Sequence, residues 1–287
     1  MGFVLNQAER PGAAQASGAA PAAAVVKCFV VGCPRSGTTL LSVMLGRHSR
    51  LAMTPETAFY SEIAPTLASP GRPPLREILA GWSRLPELGL EPDAVVGRCG
   101  GHETPGRVLA AILALYAQRC DKPHCGEKTP GHLGHLDALM ADFPAAKIIV
   151  IIRDGRDTAL SIAALPWWSD TIAAAADTWR NAAGIARAAL ARDPARVTGV
   201  RYEDLVHKPQ TELARLMDFV GLAFEPRQLD ASIVSPVVLA RSLPWKGRAL
   251  APIDHTRVGR WRLPAHAEHA SFLNTALADE LVFFGYA

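Results

Sequence analysis

The sequence predicts an α/β domain with a central, mostly parallel sheet covered by helices on both faces. Three short runs carry this prediction: the first two are almost wholly apolar and lack the alternation typical of a half-exposed strand, and the third, which is more mixed, is a further candidate strand. They are residues 25–31, 147–152 and 197–202. A Gly-rich turn and a helical pattern over residues 38–48 follow the first run. That order is typical of the opening of a nucleotide-binding α/β domain.

The remaining elements complete a three-layer arrangement. The long stretch between the first two strands contains Pro/Gly punctuation and apolar helical patterns at residues 75–85 and 108–117. It predicts a mostly helical insertion over the carboxyl ends of the strands, where ligands bind in such sheets. Residues 170–191 are Ala-rich and predict a helix that covers the sheet, and a further helix is expected to run through Phe219 and end at Gly221.

Composition excludes several classes of protein. Of the 287 residues, 49% are hydrophobic and 20% are charged, so the chain can bury a large core and is not globally disordered. The net charge of +3 gives no electrostatic reason to expect nucleic-acid binding, although a local basic site for a small anion stays open. Residues 1–24 are rich in Ala, Gly and Pro and predict a disordered leader, whereas residues 25–287 predict a single domain.

The spacing of the cysteines and the length of the apolar runs indicate the cellular compartment to expect for the protein. Five cysteines without paired CxxC spacing argue against a disulfide framework and for a reducing compartment. Cys120, His124 and Cys125 are close in sequence but lack a second ligand pair, so free thiols are favoured over a zinc site. No apolar run approaches the length of a membrane-spanning helix. We therefore expect a cytoplasmic protein without a membrane span, and the oligomeric state stays open.

The turn after the first strand carries the functional prediction. Residues 32–39, Gly-Cys-Pro-Arg-Ser-Gly-Thr-Thr, match a phosphate-binding P-loop except that Thr38 stands where lysine is expected. The glycines allow a tight turn that presents N–H groups to an anion, and the following helix directs its positive end there. Without that lysine, and without a clear magnesium-binding aspartate, a ligand with a single 5′-phosphate group is favoured over ATP with magnesium. No metal is expected.

Several segments together resemble the PAPS-dependent sulfotransferases, which use 3′-phosphoadenosine 5′-phosphosulfate as sulfuryl donor. Residues 31–41 resemble their 5′-phosphosulfate loop, in the form found in tyrosylprotein sulfotransferases and many bacterial enzymes, where arginine replaces lysine. Residues 149–161 resemble the 3′-phosphate-binding segment. Residues 127–130 and 201–205 are similar to the E-K-T-P and R-Y-E-D-L stretches. The resemblance spans residues 26–262 and implies the P-loop-like fold of that family.

The resemblance implies a role for each matching residue. The 5′-phosphosulfate would be held by Arg35, Ser36, Gly37, Thr38 and Thr39. The 3′-phosphate would be held by Arg153 and Ser161, with Tyr202 beside the nucleotide. Arg257 and Arg260 lie in a looser match to the C-terminal loop that closes over the cofactor, and which of them points inward stays open. Leu165 stands where related eukaryotic enzymes have another arginine, so part of their phosphate clamp is missing or replaced.

The resemblance also implies in-line transfer of a sulfuryl group to a hydroxyl. Arg35 and Lys128 would stabilise charge on the departing oxygen, and Glu56 would be the general base. An exposed glutamate that caps the next helix is the alternative for Glu56, and Glu62 and His48 are weaker candidates for the base.

The acceptor is expected to be an alcohol or phenol on a small molecule, glycan or peptide. His132 follows the E-K-T-P stretch and could approach it, although a place on a helix face is favoured. Aromatic side chains that could line its pocket, or equally belong to the core, are Phe59, Tyr60, Trp167, Trp168 and Trp245.

Two other functions stay open. One is an ATP-dependent phosphotransferase with a P-loop-like fold, which would need magnesium and tolerate nucleotides without a 3′-phosphate. The other is a non-catalytic nucleotide-binding relative that retains the fold.

Overall fold

The computed structural model describes residues 25–233 and 253–286. The predicted leader, residues 1–24, and Trp245 lie outside the described residues. The strands are β1 (Val25–Gly32), β2 (Leu51–Met53), β3 (His124–Lys128), β4 (Lys147–Ile152) and β5 (Val197–Arg201). The helices are α1 (Thr38–Gly46), α2 (Phe59–Glu62), α3 (Ala64–Ala68), α4 (Leu75–Ala80), α5 (Arg84–Glu87), α6 (Pro92–Cys99), α7 (Pro105–Arg119), α8 (Leu136–Asp142), α9 (Gly155–Ala163), α10 (Ile172–Arg192), α11 (Tyr202–His207), α12 (Pro209–Phe219), α13 (Ala267–Ala276) and α14 (Ala278–Phe283).

The strands of the described residues form one parallel sheet in the order β2-β3-β1-β4-β5. After β1 the chain moves to the β2 edge and returns through β3, and it then continues on the other side of β1 with β4 and β5. Because all the strands are parallel, their carboxyl ends meet at one edge. The reversal beside β1 places a crevice there, which is where ligands bind in open α/β sheets.

Alternate residues of β1 belong to two separate cores. Phe29 and Val31 lie in the cluster that contains side chains of α7 and α10, whereas Cys28 and Val30 lie with those of α1 and α12. A strand that is buried on both faces has apolar residues at every position, which explains the continuous apolar runs. The predicted α/β class with a three-layer, parallel-sheet architecture is confirmed.

The stretch between the first two predicted strands differs from the expectation. It contains β2 and β3, which the sequence did not predict. β2 has only three residues, and β3 contains His124, Glu127 and Lys128, so neither has the apolar run of a buried strand. Within the same stretch α7 packs against the sheet and shares a core with Phe29 and Ala52, so it is a layer helix, and the helical insertion consists of α2 to α6.

Two further properties concern the whole described chain. No helix within residues 25–233 and 253–286 is both long and apolar enough to cross a membrane. All five cysteines lie within these residues and are free thiols. Burial raises the pKa of Cys33, which lies inside the P-loop-like turn, to about 12, so this thiol is neutral at physiological pH.

Candidate active site

The turn between β1 and α1 is held in an unusual backbone conformation. Arg35 has a φ of 72° and Gly37 a φ of 96°, both in the left-handed region. A Cβ atom on residue 37 would lie 2.4 Å from Cδ2 of Tyr202, so only glycine lets the turn pack directly on this ring. The turn therefore presents its backbone to the crevice at the N-terminus of α1, an arrangement suited to an anion.

The segment after β4 contacts this turn. Arg35 Nε donates a hydrogen bond to Ser161 Oγ at 3.3 Å. Arg153 Nη1 donates to the carbonyl oxygen of Arg35, also at 3.3 Å, and the Arg153 guanidinium lies 4.7 Å from the centre of the Tyr202 ring. The two segments that the sequence assigned to different phosphates are thus parts of one site.

Two buried polar atoms in this site make no hydrogen bond to the described part of the chain. They are Ser36 Oγ and Arg153 Nε. Ser36 is fully buried and Arg153 is 7% exposed. A buried polar group without a partner costs about 1–3 kcal/mol, and more when it is charged. Both atoms can donate a hydrogen bond, so the oxygens of a bound phosphate or sulfate would satisfy them.

A lysine and a glutamate are paired on the other side of β1. Lys128 is aligned with Val30 of β1, so it ends its strand next to the point where the P-loop-like turn begins. Its Nζ lies 2.8 Å from Glu56 Oε1; the lysine side chain is buried and that of Glu56 is 25% exposed. Arg84 Nη1 also donates to the backbone carbonyl of Glu56, at 3.3 Å. The structure therefore brings Glu56 and Lys128 into direct contact.

A fully buried carboxylate supports the segment that carries Glu56. Glu127 Oε1 accepts hydrogen bonds from the backbone N–H of Thr57 at 3.3 Å, from Thr57 Oγ1 at 3.0 Å and from Thr129 Oγ1. Its Oε2 accepts from His132 Nδ1 at 3.1 Å. Burial favours the neutral acid, but the electrostatic interaction with His132 and the hydrogen bonds from His132, Thr129 and Thr57 outweigh it and hold the pKa of Glu127 below its ordinary value.

His132 has a structural place in this arrangement. Its ring is fully buried, and Nε2 accepts from the backbone N–H of Tyr60 at 3.3 Å while Nδ1 faces Glu127. The ring is therefore held by a contact at each nitrogen and is enclosed within the core.

The C-terminal arginines lie on a segment that contacts Arg153. The carbonyl oxygen of Arg257 accepts a hydrogen bond from Arg153 Nη2 at 2.6 Å. The guanidinium of Arg257 lies beside Asp254, with Nε 3.4 Å from Oδ2. Arg260 follows Gly259, whose backbone N–H donates to Asp157 Oδ2 at 2.7 Å. The segment therefore reaches the site through its backbone.

Other candidate residues are engaged elsewhere. His48 Nε2 bonds the carbonyl oxygen of Ala223 at 3.0 Å, and Glu62 accepts from Trp82 and Arg84. Phe59 and Tyr60 lie in the core, whereas Trp167 is 55% exposed.

Sequence reasoning gave no role to Glu127 and Asp157. The only signal for either was its place inside a matched motif, Glu-Lys-Thr-Pro and Arg-Asp-Gly-Arg-Asp.

Known proteins share sequence similarity with this chain. The Sulfotransferase family matches residues 28–226. Nodulation protein NoeE of Sinorhizobium fredii is 27% identical over 285 residues, which cover 90% of this chain and 65% of that protein. Protein-tyrosine sulfotransferase A of Caenorhabditis elegans is 24% identical over 217 residues, which cover 70% of this chain and 51% of that protein. The chain thus spans between half and two thirds of the length of these two relatives.

A solved structure has the same fold. The sulfotransferase domain from the Synechococcus PCC 7002 olefin synthase superposes with a TM-score of 0.67 at 22% identity, covering 92% of this chain and 96% of that domain. The family match covers most of the chain and includes the P-loop-like turn, β3 and the segment after β4. The chain therefore belongs to the sulfotransferase family and has its P-loop-like α/β fold.

Proposed function

We propose that the chain transfers a sulfuryl group from PAPS to an acceptor hydroxyl, without a metal ion. The observation that carries the proposal is the contact between the two phosphate segments. Arg35 bonds Ser161 with its side chain and Arg153 with its carbonyl oxygen, next to two buried donors that lack partners among the described residues. A nucleotide with phosphate groups at both its 5′ and 3′ ends matches this double site better than one with a single phosphorylated end.

The residues around the turn would hold the donor. The backbone N–H groups of residues 37–39, with Gly37 at the helix N-cap, and the hydroxyls of Ser36, Thr38 and Thr39 would bind the 5′-phosphosulfate. Arg153 and Ser161 would bind the 3′-phosphate, and Tyr202 would lie against the nucleotide, with Arg257 and Arg260 on the neighbouring segment. When bound, PAPS supplies the activated sulfuryl group.

The Glu56–Lys128 pair would act on the acceptor. Glu56 is partly exposed at the crevice and would accept the proton of the acceptor hydroxyl. Lys128 and Arg35 are cations on either side of β1 and would stabilise negative charge on the departing oxygen. Lys128 also holds Glu56 through the 2.8 Å contact and so orients the base before the acceptor binds.

The nucleotide specificity can be tested with the purified chain. We expect adenosine 3′,5′-bisphosphate (PAP) to raise the melting temperature much more than AMP does, because only PAP reaches both phosphate segments. ATP with magnesium should shift it no more than AMP. Equal shifts with PAP and AMP, or a larger shift with magnesium and ATP, would contradict the proposed donor.

The site assignment can be tested with one substitution. Arg153→Ala should weaken PAP binding by about 10- to 100-fold, the usual effect of losing hydrogen bonds to a charged group, and change AMP binding much less. Arg180→Ala is the control, since Arg180 pairs with Asp177 on the surface of α10. Isothermal titration of both variants would contradict the assignment if Arg153→Ala bound PAP as the control does.

A further inference from the structure

Asp157 is a buried carboxylate that binds the backbone of the C-terminal segment. Its Oδ2 accepts from the N–H of Gly259 at 2.7 Å and its Oδ1 from the N–H of Trp261 at 2.9 Å. The side chain has no exposed area. These two bonds join residues 102 and 104 positions apart in the chain, so one carboxylate fixes the backbone on both sides of Arg260.

The same segment is fixed to the phosphate site by a second contact. Arg153 Nη2 donates to the carbonyl oxygen of Arg257 at 2.6 Å and lies 3.7 Å from Asp157 Oδ2. The guanidinium of Arg156 stacks on the Trp261 ring, 3.8 Å from its centre. Residues 257–261 are therefore attached to Arg153, which is assigned to the 3′-phosphate, and to Arg156 and Asp157 in the first turn of α9.

The carboxylate is not placed there for charge stabilisation alone. Burial raises the pKa of Asp157, even though Arg153 and the two backbone amides act in the opposite direction. Near a bound 3′-phosphate its negative charge would be repulsive. Any favourable effect of Asp157 on binding of the 3′-phosphate must therefore come from the groups that it holds in place.

We propose that Asp157 is a positioning residue for the 3′-phosphate site, which holds residues 257–261 against Arg153 so that this segment completes the site. The proposal rests on the proposed function. The segment that Asp157 holds contains Arg257 and Arg260 and reaches Arg153 through the carbonyl oxygen of Arg257.

Asp157→Asn separates the positioning role from an electrostatic one. The amide can accept only one of the two backbone hydrogen bonds and turns an N–H group towards the other donor. If Asp157 positions the segment, the variant loses about tenfold or more in affinity for PAP, as expected for hydrogen bonds to a charged group, and keeps its affinity for AMP. If Asp157 acts through its charge alone, removing that charge tightens PAP binding.

Isothermal titration of PAP and AMP into the full chain measures both affinities. Asp177→Asn is the matched control, because it removes the same charge from the exposed surface of α10 and should leave both affinities unchanged. Unchanged or tighter PAP binding in Asp157→Asn, or an equal loss for PAP and AMP, overturns the proposal. A wild-type chain that binds PAP and AMP equally instead contradicts the proposed function.

Hydrogen–deuterium exchange on the wild-type chain tests the proposal without a variant. We expect PAP to slow exchange at the amides of Gly259 and Trp261, because a completed site holds the segment more tightly. AMP should leave their exchange unchanged. Exchange at these two amides that PAP does not slow would overturn the proposal, whether or not Asp157→Asn folds.

Discussion

The two sides of β1 differ in whether the buried polar groups of the candidate site have hydrogen-bond partners. On the β4 side, Ser36 Oγ and Arg153 Nε are buried without a hydrogen-bond partner among the residues that the structure describes. On the β3 side, both oxygens of the fully buried Glu127 accept hydrogen bonds from protein donors. The turn and Arg153 on the β4 side have donors left for a ligand, whereas the Glu127 network on the β3 side has all its carboxylate oxygens bonded. Thr54 Oγ1 and His124 Nδ1, elsewhere on the β3 side, also lack a partner among the described residues.

This difference indicates that the two sides of β1 have different roles in the candidate site. A site with unsatisfied buried donors becomes more stable when an anion binds, so the β4 side is suited to recognition. A satisfied network keeps its members in one arrangement whether or not a ligand is bound, so the β3 side is suited to holding Glu56 and Lys128 in place. Substitutions on the β3 side should therefore affect turnover and stability, and those on the β4 side should affect nucleotide binding.

The largest effect is expected for Glu56→Gln. Loss of a general base typically lowers turnover by about 10²–10⁴-fold, and Glu56 is assigned to the acceptor rather than to the nucleotide. Affinity for PAP should stay at the wild-type value. Transfer of labelled sulfate from PAPS to compounds in an extract of the source cells measures turnover, and titration measures binding.

Glu62→Gln is the comparison for that experiment, because Glu62 is the neighbouring glutamate that the sequence offered as a weaker base. Its carboxylate is bonded to Arg84 and Trp82, so we expect a much smaller loss of turnover. A loss of PAP affinity in Glu56→Gln would break the separation of the two sides. A larger loss of turnover in Glu62→Gln than in Glu56→Gln would indicate that Glu62 is the general base.

A smaller but still large effect is expected for Glu127→Gln. Thr57, Thr129 and His132 all donate to this carboxylate, so an amide N–H must face one of these donors. We expect the free energy of unfolding to fall by about 3 kcal/mol at neutral pH, with turnover reduced and PAP affinity retained. Urea unfolding measures the free energy of unfolding. Glu268→Gln is the control, because this side chain is 78% exposed and its substitution should change the free energy of unfolding little.

The pH dependence of Glu127→Gln has a definite sign. The pKa of Glu127 is lowered in the folded chain from an ordinary value of 4.5. The ionised carboxylate therefore contributes its stability above pH 4.5 and loses it as the pH falls from there through the lowered pKa. The difference in stability between wild type and Glu127→Gln should narrow over that acid range. A difference that stays constant down to low pH would show that ionisation of Glu127 does not stabilise the fold.

The sequence pointed to the continuous segments of the candidate site but not to the contacts between distant parts of the chain that support it, for a physical reason. The turn from Gly32 to Thr39 and the segment from Arg153 to Ser161 are each continuous, so their residues share one local structure and one pattern. Glu127 instead reaches Thr57, 70 residues away, and Asp157 reaches Gly259 across 102 residues. Neither partner can be inferred from spacing, and the polar composition of β3 hid the strand itself.

The smallest expected effect concerns the backbone of the P-loop-like turn. Arg35 adopts a φ of 72°, where a residue with a Cβ is disfavoured by about 1–2 kcal/mol. Arg35→Ala and Arg35→Gly both remove the guanidinium, so they lose the same bond to Ser161 and differ only in the backbone.

Glycine relieves the strain at residue 35 but also loses about 0.5–1 kcal/mol more conformational entropy on folding. The strain is the larger quantity, so Arg35→Gly should have a free energy of unfolding about 0.5–1 kcal/mol above that of Arg35→Ala. Urea unfolding of the two variants measures the difference. If Arg35→Ala is equally stable, the turn does not hold residue 35 in the left-handed region. The backbone that presents N–H groups to the 5′ end of the nucleotide would then have to be formed by the ligand, and the β4 side would be assembled on binding.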